Sequence, residues 1–208
     1  MATLLLIHGG LWEDIGADWF WRGPGIIDGF ERLGFTVVAP DRLRRPASWA
    51  ADAEHVLGAV PGGPVTVVGG SFGCSVAVRL ALDSPGRVSS MVMAWPASLS
   101  DQFALIRMRA SLARLGAPAL VLNALLGGET LPSATDAELS TITVPVGVIP
   151  ALPPDPFHPR ATVDALLRLL PSAAELPGCP EAPRPEFPPH LESFLASVAG
   201  FAGSPSPS

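Results

Sequence analysis

Ser71 is the residue in this chain best placed to act as a nucleophile. It stands in Gly69-Gly-Ser-Phe-Gly73, after the β-branched run Val65-Thr-Val-Val68 and just before the helix-like run Val76 to Leu82. That order reads as strand, sharp turn, helix. Such a turn strains the serine backbone, and glycines two before and two after it allow close approach. The hydroxyl then stands at a helix N-terminus, where free N–H groups favour a developing negative charge. A glycine-rich turn in a nucleotide-binding sheet would share the same glycines, so the flanking strand and helix carry the reading.

Composition narrows what can assist the serine. The 208 residues hold thirteen basic side chains, all arginine, and no tyrosine. A Schiff-base lysine, a phosphate-loop lysine and a tyrosine acid or base are therefore excluded. His, Asp, Glu, Ser and Cys remain. The two cysteines, Cys74 and Cys179, form no C-x-x-C pair, so neither a disulfide framework nor a cysteine-rich metal site is indicated. Cys74, behind the serine, reads as a small buried apolar residue. The net charge of −6 argues against a nucleic-acid partner. No stretch approaches a membrane span and no signal peptide is read, so the expected protein is cytoplasmic, with no membrane partner.

These residues need a scaffold, and the pattern supplies one. Thr3–Ile7, Phe35–Ala39, Val65–Val68, Val88–Ala94, Thr143–Ile149 and Ala173–Leu176 read as strands. Ile26–Leu33, Ala47–Val60, Ala104–Leu126 (broken at Gly116-Ala-Pro118), Ala161–Leu170 and His190–Val198 read as helices. Hydrophobic residues make up 48% of the chain, which suits strands buried on both faces. Alternating strands and helices predict an α/β fold, a doubly wound, mainly parallel sheet of about six strands. We expect one domain over 1–202, a small helical insertion at about 97–140, and a disordered tail at 203–208.

With these elements the chain resembles the α/β-hydrolase superfamily over nearly its whole length. Leu4-Leu-Leu-Ile-His8-Gly9-Gly10 is similar to the family's first core strand and oxyanion loop, and Val37-Val-Ala-Pro-Asp41-Arg42 to the next strand and turn. Gly69–Gly73 is the nucleophile elbow, Val144–Ile149 followed by Asp155 resembles the acid-bearing strand, and Leu191–Leu195 the closing helix. The hairpin that usually precedes the first of these strands is not read here. The resemblance implies an oxyanion hole from the N–H groups of Gly10 or Leu11 and of Phe72. It also implies that Asp155 orients a catalytic histidine.

The family's histidine usually follows the last strand in a Gly-His pair, but here the pair is Gly178-Cys179. A thiol cannot relay the proton as an imidazole does. Three explanations stand open. His158, three residues after Asp155, acts as base; His190 reaches back from the last helix; or hydrolysis is lost, with Cys179 as a further possible participant. Ser71, His8 and Asp155 follow the third, first and fifth strands, so all reach one rim, where ligands of doubly wound sheets bind. His8 either braces its turn or touches substrate. Arg42, with Arg44 and Arg45, either holds a substrate anion or is solvated. Trp12 and Trp95, with residues of 104–126, are expected to wall an apolar pocket.

The expected activity is a serine hydrolase acting on a small apolar ester or thioester, with Ser71, His158 and Asp155 catalytic. His8, Trp12, Arg42 and Trp95 are the candidate substrate-binding residues. The partner is a small apolar or aromatic molecule, and no metal or organic cofactor is implied. The rival reading is a non-hydrolytic lyase, cyclase or binding module on the same fold.

Overall fold

The computed structural model describes residues 2–203. The chain order is β1 (Thr3–Ile7), α1 (Ile26–Arg32), β2 (Thr36–Val38), α2 (Trp49–Gly58), β3 (Val65–Gly70), α3 (Gly73–Asp83) and β4 (Val88–Ala94). Then follow α4 (Gln102–Arg114), α5 (Ala119–Leu126), α6 (Asp136–Leu139), β5 (Val146–Ile149), α7 (Arg160–Leu169), β6 (Ala173–Glu175) and α8 (Leu191–Gly203). All six strands are parallel, in the order β2-β1-β3-β4-β5-β6. This is the α/β-hydrolase fold. The order reverses between β1 and β3: the chain steps outward from β1 to β2, then returns to place β3 on the other side. A crevice opens at the carboxyl ends of strands at such a switch point.

The central strands are apolar on both faces because both are covered. Residues Leu4 to Ile7 and Val65 to Gly70 are buried throughout. On one face Leu5, Ile7 and Val67 pack with Trp49 and Val56 of α2, Val76 and Leu80 of α3 and Leu166 of α7. On the other face Leu4, Leu6 and Val68 pack with Trp21, Phe30 of α1 and Phe194 and Val198 of α8.

The differences from the sequence reading are local. β5 starts at Val146 rather than Thr143, directly after Pro145, which has no N–H to give a ladder. The Pro145 carbonyl still accepts from the Met91 N–H. The loop after His8 contains a wide helical turn, Asp18–Arg22, that the aromatic-rich sequence did not signal. The 97–140 stretch folds as α4, α5 and α6, the last closed by a capping box between Thr135 and Glu138. The final helix runs on to Gly203, while the rest of the expected tail lies outside the described residues. Among the described residues no helix is long and apolar enough to cross a membrane.

Candidate active site

Ser71 occupies the turn between β3 and α3 with φ +53°, a left-handed backbone that side-chain-bearing residues adopt rarely and at a cost. Its flanking glycines explain how the turn fits. A Cβ on Gly73 would overlap the Ile7 carbonyl, and one on Gly69 would lie 2.7 Å from the Gly73 carbonyl. Phe72 caps the N-terminus of α3, where the first N–H groups lack helical acceptors. The Phe72 N–H, expected from the sequence as an oxyanion donor, is one of these first groups.

His158 meets this serine. Its Nε2 lies 2.8 Å from Ser71 Oγ, and its Nδ1 lies 3.1 Å from each oxygen of Asp155. With the Nδ1 proton directed at the carboxylate, Nε2 is the acceptor for the serine O–H. The loop that delivers both residues is short and braced. Asp155 Oδ1 accepts the backbone N–H groups of Phe157 and His158, at 2.8 and 3.0 Å, folding 155–158 into a tight turn. The Ser98 N–H, beyond β4, donates to the Phe157 carbonyl at 2.8 Å and pins the turn to the strand ends. Burial alone would raise the Asp155 pKa. The bonds from His158 and its charge, the Phe157 N–H and Arg184 outweigh that and hold the carboxyl well below its ordinary value. The acid is thus ionised wherever the imidazole must be stabilised.

An aromatic row joins this loop to the elbow. Phe72 stacks on Trp49 at 6.2 Å between ring centroids and meets Phe157 edge-on at 6.4 Å. The cleft above has a volume of about 440 Å³, and Ser71 and His158 both line it. Its wall is mainly apolar, from Ile15, Trp19, Phe20, Phe72, Met108 and Phe157. Gly10 also lines it, with φ +80°.

A family model for the alpha/beta hydrolase family matches residues 4–203. The chain belongs to that family. As a solved fold, this alpha/beta hydrolase is similar to a mutant meta-cleavage product hydrolase from Pseudomonas fluorescens complexed with acetates. The TM-score is 0.71 at 19% identity, covering 97% of this chain and 90% of that one. It is also similar to an alpha/beta hydrolase enzyme from the metagenome of lagoon sediments at Mar Chica, Morocco, with TM-score 0.69, 20% identity and 96% and 90% coverage. A third likeness is to a lipase-esterase related protein from Clostridium acetobutylicum, with TM-score 0.64, 14% identity and 96% and 94% coverage. No curated protein matches the chain in sequence.

Within this alpha/beta hydrolase, several residues expected at the substrate lie elsewhere. His8 is buried, with Nδ1 2.8 Å from the Gly9 carbonyl and Nε2 accepting the Arg42 N–H at 3.0 Å. Burial and the nearby Arg42 charge lower its pKa, so it stays neutral and braces the turn. Arg42 does not hold a substrate anion: its side chain is buried, bonded to Asp52 and to the carbonyls of His8, Gly9 and Gly10. It therefore fixes the loop that carries the expected oxyanion donors. Trp12 turns away to donate its Nε1–H to the Pro46 carbonyl at 3.0 Å, with Arg45 over its ring. Trp95 is fully buried in the opposite core, stacked on Phe194 and donating to the Cys179 carbonyl. Trp19 and Phe20 take the wall positions expected of Trp12 and Trp95. Of the 104–126 helices, Met108 reaches the cleft.

Cys179 packs in the same core as Trp95, and burial pushes its thiol up to about 11. His190 ends a short 3₁₀ turn before α8 and is not among the residues lining the cleft. Sequence reasoning missed Glu181 and Arg184, which line the cleft beside His158. No local pattern marks them, because Arg184 reaches Asp155 across 29 residues of chain. Among the described residues no group of three or more His, Cys, Asp or Glu is arranged to hold a metal ion.

Proposed function

We propose that this alpha/beta hydrolase is a serine hydrolase of small apolar esters or thioesters, acting through an acyl-enzyme. The observation that carries the reading is the 2.8 Å contact between Ser71 Oγ and His158 Nε2, with Asp155 on the other ring nitrogen. In the first half-reaction His158 takes the serine proton as Ser71 Oγ attacks the acyl carbon. Asp155 stabilises the imidazolium. The oxyanion faces the Phe72 N–H and, across the switch point, the backbone of Gly10 or Leu11. Each such donor is worth about 3 to 4 kcal/mol in the transition state. His158 then returns the proton to the leaving alcohol or thiol. In the second half-reaction it takes a proton from water, which attacks the acyl-serine, and returns that proton to Ser71 Oγ as the acyl–oxygen bond breaks and the acid leaves.

The apolar wall supports an apolar acyl or alcohol portion, and a volume of about 440 Å³ supports a small one. The non-hydrolytic rival drew its force from the want of an imidazole near Ser71, and His158 supplies one. The test is a fluorophosphonate probe together with hydrolysis of p-nitrophenyl acetate and a short acyl thioester. Wild type is expected to label and turn over, and Ser71→Ala to do neither. A folded wild type that neither labels nor hydrolyses would sink the reading.

A further inference from the structure

The segment after β6, which by resemblance would carry the family's imidazole, brings two charged side chains to the His158–Asp155 pair instead. Arg184 Nη2 donates to Asp155 Oδ2, and Arg184 Nε donates to Glu181 Oε2 at 3.3 Å. Glu181 Oε1 lies 3.6 Å from His158 Nε2, on the side of the ring away from Asp155. The imidazole therefore sits between two carboxylates, one near each nitrogen, and a single guanidinium joins them.

The two oxygens of Asp155 are held differently. Oδ1 has two backbone donors from its own turn. Oδ2 has Arg184 and the shared Nδ1 contact of His158. We propose that Arg184 is a positioning residue for catalysis: it fixes the plane of the Asp155 carboxylate against His158, with Glu181 as its counter-anchor. This rests on the serine-hydrolase reading above.

The physical case is one of geometry rather than stability. The Arg184 side chain is 43% exposed, and exposed pairs add little to folding. A displaced acid nevertheless misdirects the base, and a misplacement of about 1 Å lowers a rate by up to about 100-fold. Charge-assisted bonds from an arginine are the stronger and more directional ones, so the link suits this task. Three residues away, Glu181 stops the guanidinium from swinging off Oδ2 into solvent.

The experiment compares wild type, Arg184→Ala and Arg184→Lys in ester hydrolysis, melting temperature and proton NMR of the low-field His158 Nδ1–H signal. Arg184→Ala is expected to lower kcat about 10- to 100-fold with KM and melting temperature unchanged. Its low-field signal shifts or broadens. Guanidinium chloride at sub-denaturing concentration restores part of the rate to Arg184→Ala and none to Ser71→Ala, and lysine restores part by its charge. Wild-type kcat in Arg184→Ala overturns the proposal. So does a rate loss that tracks a lower melting temperature and resists rescue. If wild type proves unlabelled and inert, the hydrolase reading fails separately. The NMR signal then decides for Arg184, an unchanged signal in Arg184→Ala refuting it.

Discussion

Replacing Arg42 by methionine tests the claim that a buried cation holds the loop after β1. In the native fold its Nε and Nη2 donate to Asp52 Oδ2 at 2.9 and 2.8 Å. Its Nη1 lies 2.8 Å from the Gly10 carbonyl, 3.0 Å from that of His8 and 3.3 Å from that of Gly9. The Arg42 and Asp52 side chains are 3% and 0% exposed, so solvent cannot replace either partner. Removing one member of a buried pair strands the other's charge, which costs about 3 to 5 kcal/mol. In a domain of this size each kcal/mol lowers the melting temperature by about 2 to 4 °C, giving a fall of roughly 6 to 20 °C. Urea unfolding at constant slope and calorimetry measure it. The double variant Arg42→Met/Asp52→Leu removes both charges and is expected to recover much of the loss. A single variant costing less than about 1 kcal/mol, or a double variant no better than the single, refutes the buried-pair argument.

Three further outcomes are expected. His158→Ala lowers kcat by about two to four orders of magnitude, while His190→Ala and Cys179→Ala stay near wild type; a large loss in either of the latter would assign the base or its support elsewhere. The folded pKa of His8 lies below its ordinary value near 6.5, so the unfolded chain binds the extra proton first. Stability therefore falls as pH drops through and below about 6.5, and His8→Gln flattens that part of the stability–pH curve; parallel curves for the two proteins would refute this. Cys74 and Cys179 are both buried with thiols shifted upward, so neither reacts with a disulfide reagent in the native protein and both react after denaturation.

Much of the fold was legible because its signals are local. Thr3–Ile7 and Val88–Ala94 are mainly apolar runs that stop at His8-Gly9 and Trp95-Pro96, and the strands end where those runs end. Ser71 was legible for the same reason, since five consecutive residues encode its turn. His158 could be nominated because it lies three residues from Asp155, close enough for one loop to carry both. What escaped depends on distant partners. Arg42 reads as one of several arginines in a polar loop. Its burial follows from Asp52, which α2 turns back beneath it. Trp12 and Trp95 are aromatic like Trp19 and Phe20, and aromatic character alone does not say which ring faces the cleft. Arg184 becomes meaningful only once the segment after β6 folds against the turn after β5.

The aromatic row Trp49–Phe72–Phe157 ties two parts of the site into one mechanical unit. Phe72 carries an expected oxyanion donor on its backbone, and Phe157 immediately precedes His158, the proposed base. A larger ring at either position pushes on the other, and a smaller one leaves a gap into which the other can shift. In the proposed mechanism, oxyanion geometry and base geometry are therefore not separate adjustable parameters. On that mechanism, changes of substrate scope at this wall move both together, and paired substitutions at 72 and 157 are expected to preserve activity better than single ones.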